Sequence, residues 1–143
     1  MSKPKLIEGI MRSGNGIYDI LEGAAFEITD TFAKAGHRID TRGVKSICIW
    51  TNIDIGTSTN VTLKAYAFPE KDSAAAFEFP IRTVASSKAN VEDELFEFSV
   101  DGDQRVVLEL ELNKVIPFIE IHAKDDSDGT GQLDSLYITF NKG

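Results

Sequence analysis

The sequence predicts an all-β domain, a two-sheet antiparallel sandwich of jelly-roll type with eight or nine strands. Three observations predict it. Apolar and polar residues alternate with period two through most of the chain, Gly, Asp, Asn and Ser turns separate the runs, and no strand–helix–strand alternation appears. The 143 residues fit one domain. The hydrophobic share is 42%, with nine Phe residues, enough for a core without covalent staples.

Residues 1–16 read as an N-terminal arm, and residues 17–143 as the sandwich domain. The arm has room for one or two amphipathic turns at 5–12 before Ser13-Gly14-Asn15-Gly16 supplies a hinge. Strands are expected at 17–21 (Ile17, Ile20) and 24–30 (Phe26, Ile28). At 44–51, Val44, Ser46, Cys48 and Trp50 share one face, and Ile47 and Ile49 the other. Trp50 and Cys48 are assigned to the core, since a free cysteine in an apolar run behaves as a small hydrophobe. At 60–68, Val61, Leu63, Ala65 and Ala67 point inward, with Thr62, Lys64 and Tyr66 outward. Residues 76–84 alternate through Phe77, Phe79 and Ile81.

The sharpest alternation lies between residues 95 and 112. Phe96, Phe98 and Val100 lead to Asp101-Gly102-Asp103, and then Val106, Leu108, Leu110 and Leu112 oppose Val107, Glu109 and Glu111. A Gly-containing turn between two such runs predicts a β-hairpin over 95–112. Strands at 117–123 (Phe118, Ile119, Ile121) and 133–140 (Leu136, Ile138, Phe140) complete the set. Helix is expected only as single turns, at 5–12, 74–76 and 90–94. The expected core is Cys48, Trp50, Leu63, Phe79, Phe98, Leu108, Leu110, Ile119, Ile121 and Ile138.

Charge and composition narrow the function. A net charge of −8 argues against nucleic acid as a partner. No run approaches the ~20 apolar residues of a membrane-spanning helix, and the short apolar patch at Leu6, Ile7, Ile10 and Met11 falls short of a signal peptide. The expectation is a protein made in a cytoplasm and not secreted by a signal peptide. One cysteine and two histidines build no thiolate metal site. The acidic run Lys124–Gly131 also fails the helix–loop–helix calcium pattern. Aligning Gly129 with that pattern's glycine puts Lys124 at the first ligand position and Ser135 where a bidentate Glu belongs. No metal and no cofactor are expected.

No Gly-x-Ser-x-Gly elbow, His-Glu-x-x-His or phosphate-binding glycine loop occurs. His122, opposite Ile119 and Ile121, reads as a solvated strand residue, and His37 as a loop residue. No catalytic residue is assigned, and the protein is expected not to be an enzyme. Positive charge gathers in the arm (Lys3, Lys5, Arg12) and in a loop (Lys34, His37, Arg38, Arg42), and these residues are the candidate contacts to an acidic partner. The alternative is a carbohydrate site at Tyr66 and Tyr137 with the 125–131 loop, because sugar rings stack on aromatic side chains.

A resemblance emerges over residues 44–140. Phe98-Ser99-Val100-Asp101-Gly102 precedes a long apolar–acidic strand. Then come Ile116-Pro117-Phe118-Ile119-Glu120-Ile121-His122-Ala123, Asp128-Gly129-Thr130-Gly131-Gln132-Leu133 and Leu136-Tyr137-Ile138-Thr139-Phe140. This order resembles the end of small jelly-roll proteins of tailed-phage virions, the head decoration and auxiliary type. It is similar also to galactose-binding-like carbohydrate modules. The first resemblance implies a virion structural protein binding a capsid shell protein and assembling as a homo-oligomer, for instance a trimer.

Overall fold

The computed structural model describes residues 17–72, 77, 78, 80, 81, 94, 95, 97–112, 116–126 and 129–142. In chain order the strands are β1 (Tyr18–Asp19), β2 (Phe26–Glu27), β3 (Ala33–Lys34), β4 (Ile39–Asp40), β5 (Ser46–Asp54), β6 (Val61–Phe68) and β7 (Phe77–Glu78). They continue with β8 (Pro80–Ile81), β9 (Glu94–Leu95), β10 (Glu97–Val100), β11 (Gln104–Glu111), β12 (Phe118–Asp125) and β13 (Gln132–Asn141). No helix occurs among the described residues. The arm, Phe79 and the single turns expected at 5–12 and 74–76 lie outside them. So does the turn at 90–94, apart from Glu94, which begins β9.

All pairings are antiparallel. The first sheet runs β1-β13-β5-β11, with β2 sharing the outer edge of β13. The second runs β10-β6-β12-β3, with β4 beside β3 on β12 and β7 beside β10 on β6. Apart from the small β8–β9 pair, each sheet is thus four strands wide. With β1 and β2 taken as one interrupted edge strand, β3 and β4 as another, and the small β8–β9 pair set aside, the chain changes sheet at every connection except that from β6 to its neighbours β7 and β10. That alternation, with each sheet's last strand returning to its interior, is a jelly roll. Every edge strand of the first half is locked by β12 or β13, so these two late strands organise the sandwich.

The core lies between the sheets. The first sheet contributes Ile47, Ile49, Ile53, Leu110, Leu133, Leu136 and Ile138; the second contributes Val61, Leu63, Ala65, Ile119, Ile121 and Ala123, all buried. Each fully buried Ile or Leu side chain contributes about 1.5–3 kcal/mol. In β13 a register shift between Leu133 and Ser135 lets Leu133 and Leu136 both face inward, because an inserted residue resets the period of two.

Two expectations are corrected. Residues 95–112 are not a hairpin: β10 pairs with β6 in the second sheet, while β11 pairs with β5 in the first. The turn at Asp101-Gly102-Asp103 carries the chain across the core instead of folding it back. The faces of β5 are also inverted. Ile47, Ile49, Thr51 and Ile53 point inward, whereas Trp50 is 44% exposed and Cys48 half-buried. Both sides of this strand are apolar, so alternation defined its two sides without saying which one meets the core. Of the other expected core residues, Leu63, Leu110, Ile119, Ile121 and Ile138 are buried, and Phe98 and Leu108 pack against the core from its margin.

Candidate functional site

The two sheets present different outer faces. On the second, even-numbered residues of β6 and β12 point outward, which brings Lys64, Tyr66, His122 and Lys124 onto one surface. β3 adds Lys34 beside His122. Phe32, just ahead of β3, lies beneath two ammonium groups: Lys64 Nζ is 5.1 Å from its ring centre and Lys124 Nζ 5.3 Å. Cation–π attraction favours this gathering of like charges. The Tyr66 ring meets His122 edge-on at 4.5 Å.

Beside the lysines runs a bonded chain of polar groups. Arg38 Nε donates to Glu120 Oε2 at 2.8 Å, and its Nη1 donates to the carbonyls of Glu70 (2.9 Å) and Lys71 (2.7 Å). Its guanidinium stacks 3.6 Å from the Phe68 ring centre. The other Glu120 oxygen lies 2.9 Å from His122 Nε2. The side chains of Arg38, Glu120 and His122 are only 14%, 7% and 17% exposed. His122 is therefore not the solvated residue expected from its strand position.

The basic loop expected to form one partner surface is divided. Lys34 is exposed on the lysine face. His37 Nε2 sits 2.8 Å from Glu22, and Arg38 is committed to Glu120 and two carbonyls. Arg42 Nε donates to Asp40 at 2.9 Å. Lys3, Lys5 and Arg12 lie outside the described residues. From sequence Lys64 is an outward strand position and Lys124 heads the acidic run, and only the β6–β12 pairing brings them together.

Burial alone would raise the Asp40 carboxyl, but hydrogen bonds from the Arg42 side chain and N–H, with the charges of Arg42 and Lys142, hold it below its ordinary value. A lowered folded-state value stabilises the protein above the unfolded carboxyl's pKa and loses that contribution as pH falls through the folded one. The stability gap between wild type and Asp40→Asn is accordingly expected at pH 7 and should close as pH falls below the ordinary carboxyl range, in urea titrations across pH.

The first sheet's outer face is aromatic. Register sets Val107 and Tyr137 on either side of Trp50. The three are 53%, 38% and 44% exposed. The Trp50 Nε1–H donates to Thr139 Oγ1 at 2.9 Å, which fixes the indole. A shallow groove of about 290 Å³ adjoins them, lined also by Asn52, Arg105 and Ser135. Tyr66 and Tyr137 therefore stand on opposite sides of the sandwich and share no site; Trp50, assigned to the core from sequence, is the aromatic beside Tyr137.

The acidic loop is a clasp. Asp125, buried, accepts the Ser58 hydroxyl at 2.6 Å, and Asp126 Oδ1 accepts the N–H groups of Thr59 and Asn60. Thr57 and Thr130 exchange N–H to Oγ1 bonds at 2.9 and 3.1 Å. Asp125 Oδ1 has no hydrogen-bond partner, and no three His, Cys, Asp or Glu groups converge on a metal-sized site, among the described residues. No protein-family model and no curated protein matches the chain.

Proposed function

We propose that this chain is a non-enzymatic structural protein of a tailed-phage particle, a decoration or auxiliary protein that docks on the capsid shell through the outer face of its second sheet. The observation that carries the reading is the pair Lys64 and Lys124 over the Phe32 ring, with Lys34 beside His122 on the same face, on a chain of net charge −8. Gathering cations on one face of an acidic molecule suits an acidic partner surface, by complementarity and by steering of the encounter. The jelly-roll strand order supports it by analogy with viral shell domains. The titratable groups support a non-catalytic reading. His37 and His122 are each bonded to a carboxylate, and among the described residues neither bonds a serine. The arm at 1–16, with Lys3, Lys5 and Arg12, would add a second contact.

Changing Lys34, Lys64 and Lys124 together to glutamate is expected to weaken association with shells of the phage that carries the gene by about tenfold or more, with the fold unchanged. Wild-type association should itself weaken as salt rises. Co-sedimentation with purified shells reads both, and a triple variant that binds as well as wild type removes the reading.

A second reading, a carbohydrate-binding module, is favoured by one observation: Trp50 and Tyr137 are neighbours above a groove with Arg105, Asn52 and Ser135. Flat rings beside hydrogen-bonding groups suit a sugar ring. Glycan-array binding lost on Trp50→Ala or Tyr137→Ala, without affinity for shells, would establish this reading in place of the first.

A further inference from the structure

β11 is the edge strand of the first sheet. It pairs with β5 along its whole length and, among the described residues, with no strand on its other side. An eight-residue edge without proline or bulge offers a regular row of N–H and C=O groups to another strand. Val106 and Leu108 point toward the core yet remain half-buried, because the sandwich ends beside them.

The outward side chains of β11 are, in order, Arg105, Val107, Glu109 and Glu111, and the first three are centred on Val107. Cation, apolar residue, anion is a sequence that complements itself when reversed. We infer that β11 pairs antiparallel with β11 of a second copy of this chain, about a two-fold axis through Val107. Val107 then faces the partner's Val107, and Arg105 faces the partner's Glu109 on both sides of the axis.

Other registers lose the apolar pair at Val107. An offset of odd parity sets outward residues against inward ones. A two-fold axis at Leu108 sets Arg105 against the partner's Glu111 but puts Glu109 against the partner's Val107 and leaves no outward apolar pair, an axis at Glu109 opposes two glutamates, and an axis at Arg105 opposes two arginines. An axis at Val106 sets Glu109 against the partner's Asp103. In the chosen register only Asp103 and the partner's Glu111 meet as like charges. They lie at the ends, where Asp103 already turns to accept the Ile55 N–H at 2.9 Å.

Such a pair is isologous and closes at two copies, so it gives a dimer and not the trimer the resemblance implies. The first sheet becomes eight strands wide. The row Tyr137–Trp50–Val107 meets its own copy, making an aromatic ridge about 25 Å long at the usual strand spacing. Both lysine faces then point the same way, which would multiply affinity for a repetitive surface. The inference stands on the edge of the first sheet, and its residues are not those of the lysine face, so either can fail without the other.

The test is a charge swap in the full chain, read by sedimentation velocity over a range of concentrations. Wild type is expected to dimerise. Arg105→Glu alone or Glu109→Arg alone sets like charges together at both ends, and each should weaken the dimer by about tenfold. Mixing the two variants restores one cation against one anion in every pair, so differently tagged copies should associate with each other in preference to themselves. A wild type that stays monomeric, a dimer indifferent to the single changes, or variants that show no preference for each other would overturn the inference.

Discussion

Arg38→Ala is expected to destabilise the protein by about 3–4 kcal/mol, a large part of the 5–15 kcal/mol that holds a domain of this kind folded. The loss does not come from the attraction between Arg38 and Glu120 alone. Removing the guanidinium strands a carboxylate whose side chain is 7% exposed, with only His122 left beside it. It also leaves the carbonyls of Glu70 and Lys71 without the donor and uncovers the Phe68 ring. Arg38→Lys should fall between, since an ammonium keeps the charge but cannot serve the carboxylate and both carbonyls in one plane. The control is Arg42→Ala. Arg42 also holds a carboxylate, yet its side chain is 67% exposed, and loss of an exposed, solvent-screened pair costs little. Urea denaturation at pH 7 reads all three from the midpoint at constant slope. Equal losses for Arg38→Ala and Arg42→Ala would show that burial is not what makes the first pair matter.

These two arginines also mark how far sequence reading reached. Periodicity identified the long strands and the inward sets of β6, β11, β12 and β13, because each has one more polar side, but not the two-residue strands β3 and β4, which lie where a basic loop is expected. It failed at β5, where Ile47 and Ile49 alternate with Cys48 and Trp50 and either side could be the core. The signal that decides between them was present one turn of the pattern later. Thr51 and Ile53 continue the isoleucine side, and Asn52 and Asp54 continue the tryptophan side. Pairing was less legible still. Alternation says that one face of a strand is buried but not which strand lies beside it, so a three-residue turn read as a hairpin proved to cross from one sheet to the other. The same limit governed the candidate sites. Arg38, His37 and Arg42 are neighbours in sequence and looked like one surface, whereas partners distant in the chain claim Arg38 and His37. Lys64 and Lys124 are far apart in sequence and become neighbours only through β6 and β12.

Gly56→Ala is expected to cost about 3 kcal/mol, and a second glycine separates the two causes. Gly56 has φ +58°, a left-handed conformation that favours glycine, and alanine there costs about 1 kcal/mol on that ground alone. Space is the other cause. A Cβ at position 56 would lie 2.6 Å from the Thr130 carbonyl carbon and oxygen and closer still to its Oγ1, and neither loop can yield without opening the clasp. The Thr57–Thr130 exchange and the Ser58 bond to buried Asp125 are the contacts at risk. Overpacking of this kind costs about 1–3 kcal/mol. Gly23 has φ +84° with nothing within 4 Å of its own would-be Cβ, so Gly23→Ala bears the conformational cost without the collision. Gly23→Ala should therefore lose about 1 kcal/mol and Gly56→Ala about three times as much, with Gly129→Ala, whose Cβ would strike Ser58, also well above Gly23→Ala. Denaturant titrations of the three variants decide it. Equal losses at positions 23 and 56 would mean that the acidic loop does not close against residues 55–60, and that Asp125 and Asp126 are not held as clasp residues.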